Sequence, residues 1–286
     1  MREINVKEVT DAVASMCIEV NHVLSEDMRC ALDNAYKKEE SELGKQILDQ
    51  LKENLVIAKE EMIPICQDTG MAVIFMEIGQ DVHFVGGNLE DAINEGVKKG
   101  YVEGYLRKSV VDDPIIRNNT KDNTPAVIHY SVVSGDKVKI TISPKGFGSE
   151  NMSRVFMLKP ADGIDGIKNA VLTAVKDAGP NACPPVVVGV GIGGDFEKSA
   201  LLAKKALTNE LNSVHSYFDE VSNEYATQLQ KDLYDGINNL DIGPGGMGGK
   251  FTCLGVNLEI YPTHIAGMPL AVNMCCHVNR HVKCVL

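Results

Sequence analysis

The segment Pro184-Pro185-Val186-Val187-Val188-Gly189-Val190-Gly191-Ile192-Gly193-Gly194 constrains the fold more than any other. Two prolines remove two backbone donors and stiffen the entry. An apolar, β-branched run bounded by proline and glycine predicts a buried strand. A glycine turn follows, then a helix through Leu207. Such a strand needs a core to bury it. A chain of 286 residues with 44% hydrophobic content can supply one, as one large domain or two lobes, read here as a single domain over 1–286.

Helical spacing places helices over residues 6–60. Val9, Ala12, Val13, Met16 and Val20 form one apolar stripe, and Ile47, Leu48, Leu51 and Leu55 another, with Ser25-Glu26-Asp27 as a break. This helical subregion, 1–60, reads as a cap or partner surface. Met71 to Ile78 reads as a strand and Leu89 to Arg107 as a helix. Asn118 to Pro125 is a polar loop. Ala126 to Val133 and Lys137 to Ser143 read as strands joined by a hairpin at Ser134-Gly135-Asp136. Gly163 to Ala178 reads as a helix, and residues 208–242 are polar and partly helical. Gly243 to Gly249 is a tight loop, followed by two strand-like segments and a Cys/His-rich tail. The expected class is α+β (mixed α/β), a helical N-terminal region followed by a mixed-sheet domain.

Composition excludes several functions. Asp plus Glu is 39 against 28 Lys plus Arg, a net charge of −11, which argues against nucleic acid as the main partner. Tryptophan is absent and aromatics are 5%, so stacking platforms for single strands are not expected. No apolar run is long enough for a membrane span, and the polar N-terminus lacks a secretory or transit pattern. The expected location is the cytoplasm. In a reducing compartment the 8 cysteines read as packing residues, ligands or nucleophiles and not as disulfides. No CxxC occurs, so zinc-finger and thioredoxin-like chemistry lack support.

Two glycine motifs carry little chemistry. Gly189-x-Gly191-x-x-Gly194 has the form of a dinucleotide fingerprint, but no acidic strand end follows at the required distance. Strand-to-helix packing is the favoured role. Gly248-Gly249-Lys250 lacks the earlier glycine and the following Ser or Thr of a phosphate loop. Three other sites are richer. Cys66-Gln67-Asp68-Thr69-Gly70 sets a thiol, an acid and a hydroxyl in one turn. Asn181-Ala182-Cys183-Pro184-Pro185 fixes a thiol before two prolines. The tail carries His264, Cys275, Cys276, His277, Arg280 and His281. The 277/281 spacing also suits one helix face. Each site has a packing reading. Together they offer thiols on three turns, the ligand type an iron–sulfur cluster takes.

At these residues the chain resembles the class I fumarases and tartrate dehydratases. The resemblance is carried, in order, by Ile65-Cys66-Gln67-Asp68-Thr69-Gly70, Glu103-Gly104-Tyr105-Leu106-Arg107, Asn123-Thr124-Pro125-Ala126 and Pro144-Lys145-Gly146-Phe147-Gly148-Ser149-Glu150-Asn151. Ala182-Cys183-Pro184-Pro185, Gly248-Gly249-Lys250 and Pro262-Thr263-His264 complete it. It is to the α subunit of the two-subunit form, or the N-terminal part of the fused form. Phe147 departs from the usual all-glycine run.

The resemblance implies an oxygen-sensitive 4Fe–4S cluster with three cysteine ligands and one open iron. The ligands fall on Cys66, Cys183 and, by register from His264, Cys276, with Cys275 as the competing neighbour. It implies substrate contacts at Asp68, Arg107, Gly146, Gly148 and His264, with Asp68 and His264 as the catalytic pair at the leaving hydroxyl. The implied reaction is reversible hydration of fumarate to malate, with L(+)-tartrate dehydration as an alternative. It implies a β subunit carrying the base and further Arg and Lys contacts, in an α2β2-type assembly or an α–α dimer. Two further readings are a non-catalytic metal-binding assembly subunit, its cysteines structural and perhaps holding zinc, and a dinucleotide-binding oxidoreductase.

Overall fold

The computed structural model describes the backbone of residues 1–286 and every side chain except those of residues 219–223. The chain forms two compact units. The first holds residues 1–25, 54–146 and 280–286, and the second holds 26–53 and 147–279.

In the first unit β1 (Arg2–Asn5) leads into α1 (Val6–His22). Asn5 caps α1. Its side chain accepts from Lys7 N at 2.9 Å, and Glu8 accepts the Asn5 N–H in return, a capping box. After α2 (Glu26–Lys38) and α3 (Glu42–Glu60), the chain returns through β2 (Met71–Gly79), β3 (Val82–Val85), α4 (Leu89–Glu103), β4 (Val127–Val133) and β5 (Val138–Lys145). The last strand of the chain, β11 (Val282–Val285), completes a sheet of order β11-β5-β2-β4. Val9, Val13 and Met16 of α1 and Ile93, Val97 and Tyr101 of α4 pack with Ile74, Met76, Ile140 and Ile142 in one core.

Two expectations change here. β4 and β5 are not a hairpin: β2 lies between them, parallel to β4 and antiparallel to β5. The segment 134–136 crosses the end of β2, where Gly79 N donates to Lys137 O and Asp81 N to Gly135 O. A glycine turn between two apolar runs cannot distinguish these arrangements, because the intervening strand comes from earlier in the chain. Likewise α4 stops at Glu103. Gly104 caps it, and Tyr105 turns left-handed at φ 52°, so Arg107 lies in a loop. The helical N-terminal region also divides, with α1 in the first unit and α2 in the second.

In the second unit the order is α5 (Phe147–Glu150), β6 (Arg154–Leu158), α6 (Gly163–Ala178), β7 (Val186–Gly194), α7 (Phe196–Ala206), β8 (Val214–Ser216), α8 (Asp219–Asn238), β9 (Cys253–Thr263) and β10 (Met268–Cys275). The sheet runs β6-β10-β7-β9-β8, with β7, β9 and β8 parallel and β6, β10 and β7 antiparallel. This is the α+β arrangement expected.

β7 explains its glycines. Val186, Val188, Val190 and Ile192 face the α6 and α8 core, with Val171, Ala174, Leu229 and Leu233. Alternation turns Gly189 and Gly191 toward α7. A Cβ at Gly189 would stand 2.2 Å from Ala203 O, and one at Gly191 2.2 Å from Ser199 O. The dinucleotide-like spacing is therefore the signature of a helix packed directly on a strand.

Candidate active site

In the first unit, the turn 65–70 is tied down from many directions. Ile65 N donates to Asn21 O, and Asn54 Nδ2 donates to Ile65 O at 2.8 Å. Arg280 Nη2 donates to Asp68 O at 2.7 Å. The buried Tyr101 hydroxyl lies 2.8 Å from Thr69 O and 3.0 Å from Gly70 O. Burial pushes the Tyr101 phenol up, which keeps its proton for these bonds. Asn123 Nδ2 adds a third donor to Gly70 O at 3.1 Å. Asp68 Oδ1 accepts Gly70 N–H at 3.0 Å, closing an Asx turn.

Arg107 is joined to this turn by its backbone. Thr69 Oγ1 accepts from Arg107 N at 2.9 Å and donates to Arg107 O at 3.2 Å, leaving the guanidinium side exposed. Gly146 completes the group: a Cβ there would lie 3.1 Å from Asp68 Oδ2, so glycine lets the backbone approach the carboxylate. Lys145, only 2% exposed, donates through Nζ to Gly146 O at 3.0 Å. The first unit thus brings together Cys66, Asp68, Arg107 and Gly146.

In the second unit Cys183 ends a 3-10 turn in a left-handed conformation, φ 55° and ψ 63°, with an exposed side chain. The next peptide but one, Pro184–Pro185, is cis. Gly245 N, in the 243–249 loop, donates to Pro184 O at 2.9 Å. β10 pairs with β7 so that Cys275 sits opposite Val187, and Cys276 follows the strand end. His277 Nδ1 lies 3.2 Å from Cys183 O, linking the two thiol-bearing turns. Residues 277–281 form turns and irregular chain, so 277 and 281 are not on a helix. Gly148, in α5, has no close neighbour for a Cβ except Asn181 O at 4.0 Å. Phe147 opens that helix and is 49% exposed, so the departure at 147 is accommodated by a helical turn.

His264 is exposed in the β9–β10 connection, which crosses the end of β7 at the opposite end of the same sheet. Its Nδ1 accepts from Ala266 N at 3.1 Å, so the neutral ring carries its proton on Nε2. It lines an open cleft of about 480 Å³ with Gly194, Asp195, Lys198, Tyr261, Pro262 and Thr263, beyond the carboxyl ends of β7 and β9. The 8-residue β10 separates this end from Cys276. At roughly 3.3 Å per residue, that is roughly 25 Å. The structure therefore does not bring His264 beside Cys183 and Cys276 of the same chain.

The donor chemistry sorts the thiols. Burial pushes Cys17 and Cys253 up to about 12, so both stay protonated and serve packing. Cys275 is buried, whereas Cys66 and Cys276 are half-buried and Cys183 is exposed, all three on turns outside strands. Cys30 is exposed and Cys284 half-buried, but they lie within α2 and β11, so Cys66, Cys183 and Cys276 are the accessible thiols on turns, and their chemistry fits cluster ligation. No three His, Cys, Asp or Glu among the described residues gather closely enough for a single metal ion. Sequence reasoning passed over Tyr101 and gave Asn123 and Lys145 a place in the resemblance but no role. Arg280 was visible in the tail, but nothing local ties it to Asp68, 212 positions away.

The loop 243–249 also finds its partner. Glu39, 2% exposed, accepts from Glu40 N, Ser41 N, Lys250 N and Phe251 N. Burial alone would raise its carboxyl, but these backbone bonds outweigh it and hold it below the usual value. The phosphate-like motif is thus satisfied internally: Glu39 takes the amides of Lys250 and Phe251, Asp241 that of Gly249 and Ile242 O that of Gly248.

The chain that carries these turns and the Asp68–Arg107–Gly146 group falls, by its relatives, in the hydro-lyase class. The chain belongs to the family described as Fumarate hydratase (Fumerase), whose profile matches residues 10–285. It is 41% identical over 279 residues to a Methanocaldococcus jannaschii protein assigned as L(+)-tartrate dehydratase subunit alpha, covering 96% of this chain and 95% of that one. It is 29% identical over 278 residues to L(+)-tartrate dehydratase subunit alpha of Escherichia coli K12, covering 96% and 89%. No helix among the described residues is long and apolar enough to cross a membrane.

Proposed function

We propose that this chain is the α subunit of an iron–sulfur hydro-lyase that interconverts a 2-hydroxy dicarboxylate and its dehydrated product, with malate and fumarate as the pair. The observation that carries this reading is the placement of the thiols: Cys66, Cys183 and Cys276 are accessible and lie on turns, whereas Cys17, Cys253 and Cys275 are buried and the accessible Cys30 and Cys284 lie within α2 and β11. Cys66, Cys183 and Cys276 are the proposed ligands of a 4Fe–4S cluster, which when bound supplies one open iron as a Lewis acid for the substrate hydroxyl.

The chain's own residues do the rest of its share. Arg107, its backbone clamped by Thr69, offers a planar fork to a substrate carboxylate. Gly146 keeps the backbone close beside Asp68. Asp68 and His264 orient the leaving oxygen and move its proton, with His264 donating through Nε2. Because β10 separates His264 from Cys276, His264 serves the site of a second copy of this chain. A β subunit supplies the base for the C3 proton. The names of the relatives favour a second reading, L(+)-tartrate as substrate.

The test is anaerobic co-production with the β subunit, then assay on malate, fumarate and L(+)-tartrate. Faster turnover of malate and fumarate is expected. A preference for tartrate establishes the second reading, and inactivity on all three sinks both. For His264, His264→Asn and Cys276→Ser chains are inactive alone. Mixed as dimers they regain about a quarter of wild-type activity, since half the dimers carry one complete site. No recovery on mixing would place His264 within its own chain's site.

A further inference from the structure

Arg280 lies in the first unit and is only 3% exposed. Its carbonyl accepts from Ser143 Oγ at 3.0 Å, and its Nη2 donates to Asp68 O at 2.7 Å. A guanidinium carries several N–H donors and keeps its charge at any working pH. Here Nε and Nη1 are buried with no acceptor among the described residues, and no carboxylate there forms an ion pair with this side chain.

A buried cation with idle donors is a poor structural device, because desolvation is offset only when acceptors surround it. The nearby backbone has little left to give. The carbonyl of Asp68 already accepts from Arg280, that of Thr69 from Tyr101, and that of Gly70 from Tyr101 and Asn123. The turn whose carbonyl Arg280 grips is the one that carries Cys66 and Asp68.

We propose that Arg280 is an anion-binding residue of the Asp68 turn: Nη2 fixes the turn, while Nε–H and Nη1–H bind an anionic group brought by the ligand. This rests on the hydro-lyase reading, which supplies two sources of such a group. One is a carboxylate of the dicarboxylate substrate, and the other is a thiolate or sulfide of the cluster. Both offer the same chemistry, a charged acceptor for a planar fork.

The experiment uses the full chain, cluster-free and after anaerobic reconstitution, as wild type, Arg280→Gln and Arg280→Lys. Succinate serves as a non-reacting dicarboxylate, with sodium chloride at matched ionic strength as the control. Readouts are calorimetric affinity, the melting-temperature shift on adding succinate, and iron and sulfide content. If the anion is a carboxylate, Arg280→Gln loses about tenfold or more in succinate affinity in its cluster-free form and takes up iron and sulfide as wild type does on reconstitution. If it belongs to the cluster, Arg280→Gln loses iron and sulfide while its cluster-free form binds succinate as wild type does. Either result supports the proposal. Should Arg280→Gln not fold, Arg280→Lys, which keeps charge but not the fork, is expected to show the same loss with an unchanged ligand-free melting temperature. Variants equal to wild type in both readouts overturn the proposal. A wild-type chain that takes up no iron or sulfide and binds no succinate overturns the hydro-lyase reading, and this proposal with it.

Discussion

The turns that carry Cys66 and Cys183 are held in opposite ways. The Cys66 turn is secured by side chains from remote positions: Asn54, Tyr101, Asn123 and Arg280 each donate to one of its carbonyls. The Cys183 turn is stiffened mainly by its own sequence, a 3-10 turn closed by Cys183 N donating to Pro180 O, then two prolines and a paired strand. Its remote support is one backbone bond, Gly245 N to Pro184 O, and one side chain, the His277 ring at Cys183 O. The difference teaches that one turn is a product of tertiary structure and the other of local chain chemistry. Losing one tether should therefore disturb the first more than the second.

The largest expected effect lies in the thiols. Cys66→Ser, Cys183→Ser or Cys276→Ser should each abolish iron and sulfide retention, while Cys275→Ser should retain both. Iron and sulfide assays after anaerobic reconstitution check this, and the reverse pattern at 275 and 276 would move the third ligand. Next comes Tyr101→Phe. It removes the donor shared by Thr69 O and Gly70 O in a buried site, so a loss of about 1–3 kcal/mol is expected in denaturant unfolding, with weaker cluster retention.

Glu39→Gln should cost about 2 kcal/mol at neutral pH, since four backbone N–H groups lose a charged acceptor. The sign with pH follows from its lowered carboxyl value. The contribution is fully present above the unfolded carboxylate range and is lost as pH falls through the lower folded value. Wild type and Glu39→Gln should therefore converge in melting temperature on acidification. A gap that widens in acid would contradict the assignment. The smallest effect is expected for His277→Ala, which removes one bond to Cys183 O at an exposed site and should cost less than about 1 kcal/mol, with the cluster retained. A large loss there would mean that the Cys183 turn too depends on its tethers.

This contrast also explains what could be read from sequence. The β7 strand, its helix and the Cys183 turn were legible because prolines, glycines and β-branched residues act where they stand. Apolar stripes placed α1 and α3, since helical spacing is likewise a local signal, and Gly163 to Ala178 was read as the helix α6. The insertion of β2 between β4 and β5 was not legible, because pairing is decided by a distant segment. The end of α4 was missed although Gly104 stands at its cap, because the left-handed turn that follows falls on Tyr105, a residue type that does not signal it. Of the proposed site, Cys66 and Asp68 stood out through their turn and the family resemblance, and Arg107 through the resemblance alone. The roles of Tyr101, Asn123 and Arg280 were not legible, since each acts on the Asp68 turn across long sequence separations.

The central claim is that Cys66, Cys183 and Cys276 hold one cluster, and the most direct measurement is iron and acid-labile sulfide per chain after anaerobic reconstitution, followed by visible absorbance. The account predicts about four iron and about four sulfide per chain, with a broad brown absorbance that bleaches in air. A colourless wild-type chain without iron or sulfide would contradict it.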